Sequence, residues 1–347
     1  MAKALKNTVS YSYSSTVAAA SADGIRTASS RLGWTERRDH ILARLGYRRS
    51  GHRVDPGLYA MGNPDRESPV FVTANYTLSF DALRSALAGR DGYILVLDTR
   101  GINVWCAAGK GTFGTDELVG RIQAAGLEGV VSHRSLILPQ LGAPGVAAHE
   151  VKKRTGFRIE YGPIRASELP SYMEHHKATP EMRKVRFTLT DRLVLIPIEL
   201  VHTFMPMLLV ATVLYLAGGW LPALAAIASI LGGVVLFPIL LPSLATCNFS
   251  TKGLVLGLLI ALPFALAASL GRFDEVWWLR VLVAICYLLP LPSVTAFIAL
   301  NFTGATPFPS RTGVRREIFR YIPLMAWLFG LGALVNLAVI LISLFGG

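Results

Sequence analysis

Cysteine is scarce in this chain: three among 347 residues, at positions 106, 247 and 286. None belongs to a CxxC pair, so neither a zinc knuckle nor an iron–sulfur cluster can be assembled from this chain alone, and any electrons its chemistry needs come from another protein. Charge is scarce as well. Only 16% of residues are Asp, Glu, Lys or Arg against 52% hydrophobic, with a mean hydropathy of +0.46, which excludes an ordinary soluble globule and requires a membrane part. Acidic residues are the rarer sign, 22 against 34 Lys and Arg, for a net charge of +12. Much of that basic excess flanks apolar segments, where it reads as a topology and anionic-lipid signal; nucleic acid is not the expected partner. The first thirty residues lack a continuous apolar core despite Lys3 and Lys6, so they make no signal peptide. Residues 1–30 are expected to be a disordered tail, with the soluble part cytoplasmic and Cys106 reduced.

No Asp, Glu, Lys or Arg occurs between Leu200 and Thr251, which marks the main boundary. Apolar segments at about 193–216, 221–241, 253–270, 277–300 and 321–345 can each cross roughly 30 Å of hydrocarbon as helices. The sequence thus divides into the tail, a soluble domain over 31–175, a basic juxtamembrane linker over 176–192 and a five-helix all-α transmembrane domain over 193–347. Arg183, Lys184, Arg186 and Arg192 precede the first span, Lys252 lies between the second and third, and Arg311, Arg315, Arg316 and Arg320 precede the fifth. The positive-inside rule then puts the soluble domain in the cytoplasm at the inner membrane, and the C-terminus outside. Glu199 and His202 share a face of the first span, as an interhelical or interfacial pair. Asn248-Phe249-Ser250 and Asn301-Phe302-Thr303 each follow a Leu-Pro-Ser, which points to a repeated helix pair whose motif either ends helices or offers a docking surface. Cys247 is either a small apolar filler or a soft-metal thiol, and Cys286 is packing.

In the soluble half, short apolar runs alternate with helical stretches. Strands are expected at 70–74, 93–97, 136–138 and 157–160, with helices at 78–88 and at 116–125, the latter capped by Thr115. This alternation predicts an α/β, Rossmann-like fold with a parallel doubly wound sheet. Ligands of such sheets bind beyond the carboxyl ends of the strands, here 73–76, 98–99, 140–145 and 161–163. The stretch from Gly101 to Gly114 superficially suggests a phosphate loop, but position 104 is Val and Gly111 follows Lys110 where Ser or Thr is needed, which excludes that motif.

Asn103 to Lys110 reads NVWCAAGK. This resembles the cap-helix motif of the HgcA family, the corrinoid proteins of microbial mercury methylation, which are related to the corrinoid iron–sulfur protein of the acetyl-CoA pathway. The likeness extends through Pro56-Gly57-Leu58-Tyr59, Val72 to Tyr76, Leu97-Asp98-Thr99, Pro139 to Gly145 and Tyr161-Gly162-Pro163. The resemblance implies a cobalamin-type corrinoid whose cobalt takes Cys106 as its lower axial ligand, with no iron–sulfur cluster in this chain. Cofactor contacts are then expected from Asn103, Val104, Trp105, Ala107, Gly109 and Lys110 on the cap helix, and from Thr73, Asn75, Thr99, Gln140, Gly142 and Gly162 at the strand ends. It implies methyl transfer to inorganic Hg(II), with a two-cluster ferredoxin (HgcB) as electron donor and a methyl-tetrahydrofolate-linked methyl supply. Two other functions fit the same residues: a methyl-carrier subunit of one-carbon metabolism, and a corrinoid-binding module of a membrane transporter.

Overall fold

The computed structural model describes residues 17–18, 24–48, 51–272, 275–306 and 310–345. The chain forms two compact units, Met1–Val185 and Arg186–Gly347, and the break between them falls inside the basic stretch 176–192.

The first unit is built on strands β1 (Val17–Ala18), β2 (Arg26–Ala28), β3 (Gly57–Met61), β4 (Val70–Ala74), β5 (Gly92–Leu97), β6 (Ser135–Leu138) and β7 (Arg158–Tyr161). Its helices are α1 (Trp34–Arg44), α2 (Thr77–Ala86), α3 (Val104–Lys110), α4 (Thr115–Ala124), α5 (Leu127–Val130), α6 (Ala148–Thr155) and α7 (Leu169–His175). The strands form one sheet in the order β1-β2-β3-β5-β4-β6-β7. Every residue of β4 and β5 is buried, which is why both read as unbroken apolar runs. Side chains alternate between two cores: Val70, Val72 and Ala74 join Leu118, Val119, Ile122 and Val151 on one face, and Phe71 joins Phe80, Leu83 and Leu87 on the other. Helices therefore cover both faces.

The sheet is mixed, which corrects the expected wholly parallel arrangement. β5, β4, β6 and β7 are mutually parallel, but β3 runs antiparallel to β5 and β1 antiparallel to β2. β3 escaped sequence detection because Gly-Leu-Tyr-Ala-Met holds no β-branched residue and shows no alternation. The expected tail over 1–30 is corrected in part, because β2 pairs with β3 from Arg26↔Tyr59 to Ala28↔Met61. Main-chain hydrogen bonds to an open sheet edge need no apolar pattern in the added strand. Residues 1–16 and 19–23 lie outside the described residues. At α4, Gly114 rather than Thr115 is the N-cap; the Thr115 hydroxyl instead accepts the Ala147 N–H at 2.9 Å.

Between α1 and α2 lies a buried ionic cluster. Arg84 is 1% exposed and its guanidinium lies 2.6 Å from Asp81 and 3.8 Å from Glu36. It also donates to the carbonyls of Ser29 and Arg31, while His40 closes on the other Asp81 oxygen at 2.6 Å.

The second unit contains α8 (Leu189–Leu193), α9 (Ile196–Gly218), α10 (Trp220–Leu231), α11 (Phe237–Leu240), α12 (Phe249–Leu270), α13 (Trp277–Leu288), α14 (Pro290–Asn301) and α15 (Arg311–Phe345). Among the described residues these make five helices long and apolar enough to cross a membrane, Leu189–Gly218, Trp220–Leu240, Phe249–Leu270, Trp277–Gly304 and Thr312–Phe345, close to the five expected. α12 and α14 meet on small residues. A Cβ added at Gly253 would stand 2.6 Å from the Ala296 backbone, and one at Gly257 would stand 2.5 Å from that of Pro292, so the glycine spacing sets how near the helices approach. Ser229 of α10 is tied to α14, its hydroxyl 2.8 Å from the Leu291 carbonyl, and the Thr295 hydroxyl donates back to the Ser229 carbonyl at 3.0 Å.

The repeated Asn-Phe-Ser/Thr motifs converge inside this unit. The rings of Phe249 and Phe302 both pack on Phe237, with centroids 5.9 Å and 6.1 Å away. Asn248 begins α12 rather than ending the preceding span. The recurrence is thus an aromatic clamp between helix ends.

Candidate functional site

The connection from β5 to the next helix is set by one buried amide. Asn75, 1% exposed at the end of β4, accepts the N–H groups of Thr99 at 3.0 Å and Gly101 at 2.9 Å through Oδ1. Its Nδ2 donates to Asp98 at 3.1 Å. The Thr99 hydroxyl lies 2.9 Å from the same Asn75 oxygen and 2.6 Å from the Ile102 carbonyl. Arg100 and Gly101 turn the chain with consecutive left-handed φ values of 60° and 73°, a reversal that a glycine makes without steric cost.

That reversal delivers α3. Asn103 is its N-cap, and Oδ1 accepts the Cys106 N–H at 2.9 Å, satisfying an otherwise orphaned first-turn donor. Gly111, with φ 81°, closes the helix in the left-handed conformation. Val104, Ala107 and Ala108 are buried in the core, at the i, i+3, i+4 spacing of one face. The opposite face carries Trp105, Gly109 and Lys110, all exposed, with Cys106 half-exposed between them. Gly109 and Lys110 follow Cys106 by three and four residues, so they share its side of the helix. The Cys106 thiol therefore faces outward from a pinned helix, beside a position without a side chain.

Beside the N-terminal end of α3 lies a cavity of about 300 Å³ whose walls include Phe71, Val72 and Thr73 of β4, Ile137 and Leu138 of β6, and Asn103, Val104 and Trp105. Its position follows from topology. β4 and β6 are neighbours, yet the chain leaves β4 toward β5 on one side and leaves β6 toward β7 on the other. At such a switch point the two connections part, and a crevice opens beyond the carboxyl ends of the strands. The loop after β6 closes against α3. A Cβ at Gly145 would stand 2.1 Å from the Phe113 carbonyl, and one at Gly142 would stand 2.5 Å from the Phe113 ring, so only glycine permits this approach. Tyr161 ties β7 to the same loop by donating to the Val146 carbonyl at 2.9 Å, and burial holds its phenol above the ordinary range.

Of the residues singled out in the sequence, Thr73, Asn103, Val104, Trp105 and Gly162 line the cavity. Gln140 and Gly142 lie on the adjoining loop. Asn75 and Thr99, fully buried, act on the turn that presents α3. Sequence reading missed Ser79, Ala82 and Leu83 of α2 and Ile164, Ala166 and Leu169 beyond β7, which complete the walls. Their only sequence signal is the apolar face of α2, which reads equally as core. Gln140 supplies a further chemical feature: its Oε1 is buried and has no hydrogen-bond partner among the described residues. Such an acceptor is costly unless a donor reaches it, and the peripheral carboxamides of a corrin ring are donors. That oxygen and the outward thiol are features a corrinoid fits.

Elsewhere, no ion pair joins Glu199 to His202 among the described residues. Cys247 is exposed and Cys286 partly buried, both free thiols. No group of three or more His, Cys, Asp or Glu able to hold a metal ion occurs among the described residues.

Residues 45–173 match the family model described as CO dehydrogenase/acetyl-CoA synthase delta subunit. Curated relatives include the acetyl-CoA decarbonylase/synthase complex subunit gamma of Methanopyrus kandleri, 35% identical over 128 residues, 36% of this chain and 27% of that one. The subunit gamma of Methanothermobacter thermautotrophicus is 34% identical over 128 residues, 36% and 28% of the two chains. That of Archaeoglobus fulgidus is 32% identical over 124 residues, 35% and 26%. The chain thus spans roughly a quarter of the length of these relatives. The family match ends before the first apolar helix and covers strands β3 to β7, α3 and the residues that line the cavity. None of these names mentions mercury: the likeness supports the acetyl-CoA pathway side of the expected kinship, and the HgcA side rests on the NVWCAAGK motif.

Proposed function

We propose that the first unit would hold a corrinoid with the Cys106 sulfur as a cobalt ligand, and that the chain passes a methyl group from that cofactor to inorganic Hg(II), forming methylmercury. The observation that carries this reading is a half-exposed thiol on a short, doubly capped helix whose first residues, Asn103 to Trp105, line a cavity at the sheet's switch point; Cys106 itself does not line it. When bound, a corrinoid supplies a cobalt-borne methyl group and the electrons that leave with it; the protein supplies binding, orientation and electronic tuning.

Each neighbouring residue has a part in that tuning. Asn103 fixes the first turn and so the direction of the Cys106 side chain, while Val104, Ala107 and Ala108 anchor the helix against recoil. Gly109 leaves room for a flat ligand beside the sulfur. Trp105, Thr73 and Gly162 offer apolar and close-approach surface, Gln140 offers its unpaired oxygen, and Lys110 offers a cation on the same helix face. A thiolate is a soft, strongly donating ligand suited to a soft metal centre. A two-cluster ferredoxin such as HgcB is the electron donor of this reading and a methyl-tetrahydrofolate-linked system the methyl donor. The five apolar helices anchor the chain in the inner membrane, with the soluble unit in the cytoplasm.

The names of the relatives favour a second reading, a methyl-carrier subunit of one-carbon metabolism that serves acetyl-CoA formation. The separated cysteines and the five apolar helices beyond the matched segment favour the mercury reading. The two part in one experiment: purified wild type and Cys106→Ala are compared for visible absorption after corrinoid loading, for methylmercury formation from Hg(II), and for acetyl-CoA synthesis with the partner complex. Wild type is expected to show a sulfur-ligated corrinoid band and to form methylmercury, and Cys106→Ala to lose both. An unchanged band in Cys106→Ala would falsify the ligand assignment, whereas acetyl-CoA synthesis without methylmercury selects the carrier.

A further inference from the structure

α15 is longer than a membrane needs. Its 35 residues extend for about 52 Å at roughly 1.5 Å per residue, against roughly 30 Å of hydrocarbon. The surplus is N-terminal, since no charged residue occurs between Tyr321 and Phe345, whereas Arg315, Arg316, Glu317 and Arg320 fall in the turns before. These charges therefore stand at headgroup level if the five helices cross a bilayer. α12 starts at the same height, because the Asn248 side chain donates to the Tyr321 hydroxyl at 2.9 Å.

Between the two helix starts is a cavity of about 320 Å³ lined by Cys247, Asn248, Arg316, Glu317, Arg320 and Tyr321, among others. Glu317 is already committed. Its carboxylate accepts the N–H groups of Phe249 at 3.2 Å and Ser250 at 3.1 Å, and the Ser250 hydroxyl at 3.0 Å, so it caps α12 from a neighbouring helix. Arg316 and Arg320 stand four residues apart on one face, a like-charge pair that opposes the helix unless an anion sits beside it. Neither forms an ion pair with a carboxylate among the described residues. The Arg320 guanidinium lies over the Tyr321 ring, 5.6 Å from its centroid.

We propose that this cavity binds the phosphate of an anionic phospholipid headgroup, with the guanidinium groups of Arg316 and Arg320 as its ligands. A guanidinium fork matches two phosphate oxygens at once, and a basic pocket at headgroup depth is placed to meet lipid phosphates before soluble ones. Arg315 does not line the cavity and provides a control of equal charge. The site belongs to the second unit and does not depend on the corrinoid reading.

The test uses the full chain, delipidated in neutral detergent and titrated with phosphatidylglycerol, phosphatidylcholine or inorganic phosphate. Bound lipid is counted by native mass spectrometry, and helicity is checked by circular dichroism. Wild type is expected to retain phosphatidylglycerol at least tenfold more strongly than phosphatidylcholine. Arg316→Gln and Arg320→Gln should each reduce that preference several-fold at unchanged helicity, and Arg315→Gln should leave it intact. Equal retention of the two lipids overturns the proposal, as does an equal loss in Arg315→Gln, which would mark a diffuse charge effect. Inorganic phosphate that displaces the lipid at matched concentration overturns the lipid assignment in favour of a free anion.

Discussion

Asn75→Ala tests whether one buried amide presents the cap helix. The substitution removes the acceptor of two buried N–H groups, those of Thr99 and Gly101, and leaves Asp98 without its Asn75 donor. The Thr99 hydroxyl keeps the Ile102 carbonyl and adds little to the cost. An orphaned buried donor costs on the order of 1–3 kcal/mol, so two give about 2–4 kcal/mol after partial relaxation. The loss should be local, because β4 and β5 keep their ladder from Val70↔Tyr93 to Ala74↔Leu97. At about 1.4 kcal/mol per tenfold change, hydrogen exchange of the amides from Thr99 to Cys106 should quicken roughly 30- to 700-fold, while those of β4 and β5 change little. Equal protection across this segment in wild type and a folded Asn75→Ala would refute the argument, showing that packing of Val104, Ala107 and Ala108 alone holds the helix.

Three further outcomes follow from the packing. Arg84→Met takes the guanidinium from Asp81 and Glu36, 0% and 2% exposed, while His40 stays on Asp81, and should cost about 3–5 kcal/mol; pulse proteolysis of the first unit in urea measures it, and a loss under about 1 kcal/mol would deny that Arg84 is their main counter-charge. Burial raises the pKa values of Tyr161 and Tyr172. Folded-state values above the unfolded ones mean that this stability is complete below about pH 10 and is lost as pH rises through the raised values. Tyr161→Phe should lose about 1 kcal/mol at neutral pH with the hydrogen bond to Val146 and make the alkaline fall shallower; an unchanged pH profile would contradict it. Gly253→Leu should separate α12 from α14, since even a Cβ there meets Ala296 and Ala299 at 2.6 Å and 2.7 Å. Thermal scans in detergent should show a lower, broader transition, and an unaltered one would mean that the helices can part without cost.

The chain's own pattern determined a good deal. Five apolar segments had to become long helices, because no other use of such runs satisfies both their side chains and their backbone groups. β4 and β5 were legible because parallel strands covered on both faces read as apolar runs, whereas β6 and the edge strand β7 alternate more and less buried positions. α3 is too short for periodicity to show and was legible only through its motif, while β2 and β3 depend on edge pairing that leaves no trace in composition. Asn75 looked like a ligand contact, since a polar residue at a strand end reads the same whether it turns outward or inward; the fold turned it toward Thr99 and Gly101, some 24 and 26 positions away. The unpaired Gln140 oxygen, the Phe237 clamp and the Glu317 cap likewise arise from groups that meet only when distant segments pack. Local sequence sets which stretches must hide from water. Which polar atoms meet inside is decided by the crossing of helices and strands, which no single segment encodes.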